Sequence, residues 1–104
     1  MRKILLLAAL FAVSTLAGAA DRKYILAPRS GDRKPLPFSE GVLVGNTLYI
    51  AGHIGLDPKT DMPPTSAEHE AKLLMDGIKQ TVESAGLSMD DVVSMQVFCT
   101  DLKY

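Results

Sequence analysis

The stretch Val42-Leu43-Val44-Gly45-Asn46-Thr47-Leu48-Tyr49-Ile50-Ala51 decides the fold. Apolar and β-branched residues fill both flanks, and only Gly45-Asn46 separates them. Both of those residues tolerate the positive φ that a two-residue hairpin requires. Val42–Val44 and Thr47–Ala51 are therefore expected as antiparallel neighbours. Gly52-His53-Ile54-Gly55 closes the second strand, and Asp57-Pro58-Lys59-Thr60 with Met62-Pro63-Pro64 supplies the following loop.

A helix comes next. Thr65 and Glu68 have the spacing of a capping box, in which each side chain satisfies a backbone N–H at the helix start. Ala71, Leu74, Met75, Ile78, Val82 and Ala85 recur at steps of three and four and form one apolar face. Gly86 suits the left-handed position just past the end. Ser88-Met89-Asp90-Asp91 reads as a second, very short capped turn. Val92 to Thr100 then alternates as a strand, with Val93, Met95, Val97 and Cys99 on one face. The order strand, strand, helix, strand makes the helix a right-handed crossover.

Outward from this unit, residues 21–36 read as an arm, broken by Pro28 and Pro35 and by the turn cluster Ser30-Gly31-Asp32. Tyr24-Ile25-Leu26 is expected to add a short edge strand. Residues 1–20 have the layout of a secretory signal peptide: Arg2 and Lys3, an apolar run from Ile4 to Val13, and small residues at Ala17, Gly18, Ala19 and Ala20. That run is too short for a membrane span, which needs about 20 apolar residues. Cleavage is expected after Ala19 or Ala20. Position 19 is alanine, not the cysteine a lipoprotein requires, so the mature chain is expected to be exported, periplasmic or secreted, with no stable membrane association.

Removing 20 of the 104 residues leaves 84, and takes away two cations and no acid, moving the net charge from −1 to −3. Such a chain lacks the basic field that nucleic acid or anionic lipid would demand, so no nucleic-acid partner is expected. Cys99 is the single cysteine, so there is no internal disulfide to staple a small core. Oligomerisation is the expected remedy.

Motifs for chemistry are sparse. Gly52-His53-Ile54-Gly55 has the G-x-x-G spacing of a KH loop but follows a strand rather than joining two helices. His53 is either a general base or a hydrogen-bonded loop histidine, the commoner case. His69, in the first helical turn, reads as solvated. His53, His69 and Cys99 lack zinc spacing. Cys99, in an apolar strand, is expected to be buried and inert. The chain has no nucleophile elbow, phosphate loop or dinucleotide fingerprint.

Residues 35–102 nevertheless resemble the Rid family, the reactive intermediate deaminases, also known as the perchloric-acid-soluble or endoribonuclease family. The resemblance rests on Pro37-Phe38-Ser39-Glu40-Gly41-Val42, on Gly45 through Gly55, and on Asp57-Pro58-Lys59-Thr60. It continues through Ala71 to Leu87, Asp91-Val92-Val93 and Val97-Phe98-Cys99-Thr100-Asp101-Leu102. It implies an α/β (α+β), chorismate-mutase-like fold, of which residues 37–104 would be the β-β-α-β start, without the final helix and strands. It implies a homotrimer with clefts for a small-molecule carboxylate substrate. It also implies hydrolysis of enamines and imines, such as 2-aminoacrylate or 2-iminobutanoate, to 2-keto acids and ammonia, with no metal or organic cofactor taking part.

Phe38, Ala51, Gly52 and His53 become the candidate substrate-binding residues. Phe38 stands where the family usually has tyrosine, and Ala51 where it often has serine. The family's carboxylate-binding arginine and water-positioning glutamate would lie after Tyr104, so the expectation is a truncated chain, inactive by itself. A non-catalytic small-metabolite binding module is the alternative. Ribonuclease chemistry is disfavoured by the acidic charge and by the lack of an evident acid–base pair.

Export is checked by the intact mass of the secreted or periplasmic protein. The expected mature N-terminus is Ala20 or Asp21, in the soluble fraction. A cytosolic chain still beginning at Met1 overturns the signal-peptide reading.

Overall fold

A computed structural model describes residues 18–26 and 36–103. The apolar run expected as a signal peptide and most of the arm lie outside those residues. The described elements are β1 (Arg22–Ile25), β2 (Gly41–Val44), β3 (Thr47–Ile50), α1 (Ala67–Ser84) and a 3-10 turn (Met89–Asp91). The result is a small α+β fold, a three-stranded sheet with one long helix.

The sheet runs β1-β2-β3, antiparallel throughout. The hairpin forms as expected. Gly45 has φ of 60°, whereas Asn46 keeps a negative φ, the pattern of a type II′ turn. β1 pairs Ile25 with Gly41, and β2 pairs Gly41 with Ile50. One row across the sheet is therefore Ile25–Gly41–Ile50, and the next on the same face is Lys23–Leu43–Leu48. The opposite face carries Tyr24, Val42 and Tyr49 in one row, and both tyrosines are exposed.

α1 covers the first face. A Cβ on Gly41 would stand 3.3 Å from Thr81 Cγ2, so helix and sheet meet there with little between them. Ile25, Val82 and Ala85 are the buried apolar residues among those described. The expected helical stripe is realised at its C-terminal half. Ala71 and Met75, placed on it by spacing, are exposed. The sheet is only three short strands wide and does not extend under that end of the helix.

The helix ends show why its boundaries fall where they do. The N-cap is Ser66, one residue after the expected Thr65, and the His69 amide donates to its Oγ at 3.3 Å. The expected partnership of Thr65 with Glu68 is replaced by this single bond. At the other end Gly86, with φ of 81°, donates its amide to the Glu83 carbonyl, while Leu87 donates to that of Val82. These two bonds are a Schellman motif, and the positive φ explains the glycine. In the second turn the Ser88 amide donates to Asp91 Oδ2 at 2.8 Å.

The expected strand over Val92–Thr100 is not a strand. Val92 has extended dihedrals, but no ladder bonds follow it. Val93 is 99% exposed and Phe98 86%. Alternation of apolar residues requires a sheet to alternate against, and among the described residues no strand lies beside this segment. Cys99 is consequently exposed, not buried, and the crossover between parallel strands is not formed.

Gly55 is buried where its loop crosses α1, and a Cβ there would collide with the Glu70 carbonyl oxygen. Because the obstacle is backbone, Gly55→Ala in the natural protein should lower stability by about 1–3 kcal/mol. Urea unfolding measures it, and a variant as stable as its parent would show that the loop does not approach the helix so closely. Residues 21–104 produced by themselves should aggregate or unfold without a cooperative transition. The apolar residues of 93–98 and the open edge of β3 invite association. A monodisperse species with a sharp thermal transition would contradict this.

Candidate functional site

A cleft of about 300 Å³ opens between α1, the end of β1 and the loop after β3. Its walls are apolar at Ile25, Leu26, Ile54, Leu56 and Leu73, and polar at Glu40, His53, Gln80, Thr81 and Ser84. The volume is at the low end for ligand pockets, about 300–1,000 Å³.

Three polar residues from three parts of the chain meet there. Glu40 directly precedes β2. Its amide donates to the Ile25 carbonyl at 2.9 Å, and its carbonyl accepts from the Ala51 amide at 2.9 Å. Both bonds continue the ladder, so the Glu40 backbone is held from both sides. His53 lies just past β3, with its Nδ1 2.8 Å from the Ala51 carbonyl oxygen. Its Nε2 is 3.2 Å from Glu40 Oε2 and 3.3 Å from Thr81 Oγ1. Thr81, on the buried side of α1, donates its hydroxyl to the Gly77 carbonyl at 3.2 Å. Gly77 matters for a steric reason, since a Cβ there would stand 3.2 Å from His53 Cδ2.

The hydrogen-bond inventory fixes most of the protons. A carbonyl oxygen only accepts, so His53 Nδ1 carries a hydrogen. An ionised carboxylate also only accepts, so the contact with Glu40 is a hydrogen bond when Nε2 is protonated as well. Thr81, already donating to Gly77, then offers Nε2–H a second acceptor. The side chains of His53 and Glu40 are 11% and 18% exposed, so the pair is largely shielded from water. Away from the cleft, the Lys103 ammonium, 2.8 Å from Asp101 Oδ2, holds that carboxyl below its ordinary value.

Of the residues singled out from sequence, His53 lines the cleft, while Ala51 does not line it but anchors the His53 ring through its carbonyl. Phe38 is 54% exposed and Gly52 is open to solvent, and neither lines the cleft. His69 lies on the helix surface. Glu40, Thr81, Gln80 and Ser84 were not foreseen. Thr81 alone left a trace in the sequence, as a polar residue flanked by the apolar positions Ile78 and Val82. Among the described residues no group of three His, Cys, Asp or Glu side chains is placed to hold a metal ion, and no basic side chain other than His53 lines the cleft.

The architecture is that of a small α+β domain whose strand ends and helix enclose a ligand-sized cleft. Residues 33–104 match the family described as endoribonuclease L-PSP. The chain belongs to that family, the Rid family of the sequence resemblance. A RutC family protein of Saccharolobus solfataricus is 40% identical over 72 residues, which cover 67% of this chain and 57% of that protein. The 2-iminobutanoate/2-iminopropanoate deaminase of Escherichia coli is 38% identical over 66 residues, covering 64% of this chain and 52% of the enzyme. A crystal structure from Entamoeba histolytica, described as an endoribonuclease L-PSP, superposes with a TM-score of 0.56 at 32% identity, covering 70% of this chain and 58% of that one. The chain thus spans little more than half the length of these relatives.

Proposed function

We propose that the protein hydrolyses small reactive imines and enamines, of the 2-iminobutanoate and 2-aminoacrylate type, to 2-keto acids and ammonia. The observation that carries this reading is the 38% identity over 66 residues to a 2-iminobutanoate/2-iminopropanoate deaminase. The cleft suits a small substrate. Its apolar walls match a short alkyl chain, and Glu40 and His53 supply groups able to move protons. We also take the protein to be exported and to work as a homotrimer, which would cover the exposed apolar residues of a chain with no disulfide.

The substrate's own carboxylate sets a further requirement. In a desolvated cleft an unpaired carboxylate costs several kcal/mol, and arginine is suited to pairing it because its planar fork binds both oxygens. No arginine occurs in residues 36–104. That observation favours a second reading, a non-catalytic module that binds small metabolites, for these residues acting by themselves.

The assay is keto-acid formation from imines generated in situ. The natural protein at its full length should accelerate hydrolysis of 2-iminobutanoate, whereas residues 21–104 produced by themselves should not exceed the buffer rate. Turnover by the short chain would mean that the substrate carboxylate is paired within it. Absence of turnover by the full-length protein, with saturable binding of the keto acid, would establish the binding module instead.

A further inference from the structure

We propose that Glu40 and His53 form a pH-dependent latch joining the sheet, the loop after it and α1, fastened on the acid side of neutrality and released as pH rises. The latch rests on the contacts of one ring and stands whether or not the protein hydrolyses imines.

Three contacts meet on the His53 ring, and only one protonation state satisfies them all. Nδ1 is 2.8 Å from the Ala51 carbonyl oxygen, and Nε2 is 3.2 Å from Glu40 Oε2 and 3.3 Å from Thr81 Oγ1. A carbonyl and an ionised carboxylate only accept, so each needs an N–H opposite it. A ring with one hydrogen serves one of them and turns a lone pair toward the other. With the hydrogen on Nδ1, Nε2 and the carboxylate oxygen face each other as two acceptors. The Thr81 hydroxyl can rotate to donate to such a nitrogen, but the carboxylate has nothing to donate. With the hydrogen on Nε2, the same conflict arises at Ala51. The ring with both hydrogens makes every contact.

No other described group in the cleft can take over either role. The end of β1 and the rest of the loop present apolar side chains to it, and α1 presents Gln80, Thr81 and Ser84 but no acid or base. The side chains of His53 and Glu40 are largely shielded, so water is a limited substitute. The junction between helix and sheet has little else to hold it, since Ile25, Val82 and Ala85 are the buried apolar residues among those described.

The direction of the pH response follows from these contacts. Free glutamate is ionised above about pH 4.3 and free histidine is doubly protonated below about pH 6.5. The latch contributes fully where the ring carries both hydrogens and the carboxylate is ionised. Its contribution is lost as pH rises and the ring gives up its second hydrogen, and again in strong acid as Glu40 is neutralised. On the alkaline side the carboxylate has no donor and turns toward the open cleft.

The test uses the full-length protein at one fixed concentration, with thermal midpoints at pH 6.0 and pH 8.5. In His53→Gln the amide donates to Glu40 at either pH. In Glu40→Gln the side chain offers its oxygen to the protonated ring or its NH2 to the neutral one. Both variants should therefore lose the response. The midpoint of the parent should fall by about 5 °C more between the two pH values than that of either variant, the scale of one hydrogen bond to a charged group. His69→Gln, altered on the helix surface, should keep the parent's response. A folded His53→Gln or Glu40→Gln variant with the parent's full response overturns the latch. Crystals of the parent grown at the two pH values read it without any substitution. Glu40 Oε2 should lie within hydrogen-bond distance of His53 Nε2 at pH 6.0 and be turned away at pH 8.5, and an unchanged contact at pH 8.5 overturns the proposal.

Discussion

Glu40 is held twice, and most of the described structure hangs on those two attachments. Its backbone bonds to Ile25 on one side and to Ala51 on the other, at the point where three strands come into register. Its side chain meets His53, which in turn is tied to Ala51 and to Thr81 on the helix. A single residue therefore connects the sheet, the loop after it and the helix. The connection is polar and partly shielded, so its geometry is restrictive. A charge withdrawn from water must find its partner at hydrogen-bond distance or be destabilising.

The packing around this point is made close by glycines. Gly41 lets Thr81 come down onto the sheet, Gly77 leaves room for the His53 ring against the helix, and Gly55 lets the loop cross at Glu70. Each is a contact that a methyl group would tighten or obstruct. With only Ile25, Val82 and Ala85 as buried apolar residues, hydrophobic burial among the described residues is slight. Steric closeness and the polar triangle set where the helix lies. The exposed apolar residues from Val93 to Phe98 are surface of a kind that a soluble assembly normally covers.

Local structure was legible in the sequence wherever its cause is local. The Gly45-Asn46 turn, the helix with its Gly86 terminator and the Ser88–Asp91 turn depend on neighbours a few residues away, and each is present. The N-cap moved from Thr65 to Ser66 because adjacent hydroxyls compete for the same amides. What depended on distant partners was not legible. The alternation in Val92–Thr100 states which faces a strand would have, but not whether a neighbour exists to pair with it. Of the site, His53 stood out by its type. Glu40 did not, since an acid before an apolar run looks like ordinary solvated surface. Only the 13-residue separation between them, closed by the ladder bond from Ala51 to Glu40, makes the pair.

The Glu40–His53 pair is also a poor device for stability alone. A partly buried polar pair gives up the hydration of both groups, and replacing such a pair by well-packed apolar groups is often neutral or stabilising. Ile25, Ile54, Leu56 and Leu73 line the same cleft, so an apolar pair would have suited the same wall. Thr81 adds a hydroxyl where the helix would otherwise extend its apolar stripe, and that hydroxyl is spent on the Gly77 carbonyl and on the His53 ring. Three polar side chains at the wall of an apolar cleft, satisfied by one another except for one carboxylate oxygen, are an arrangement that cohesion does not require.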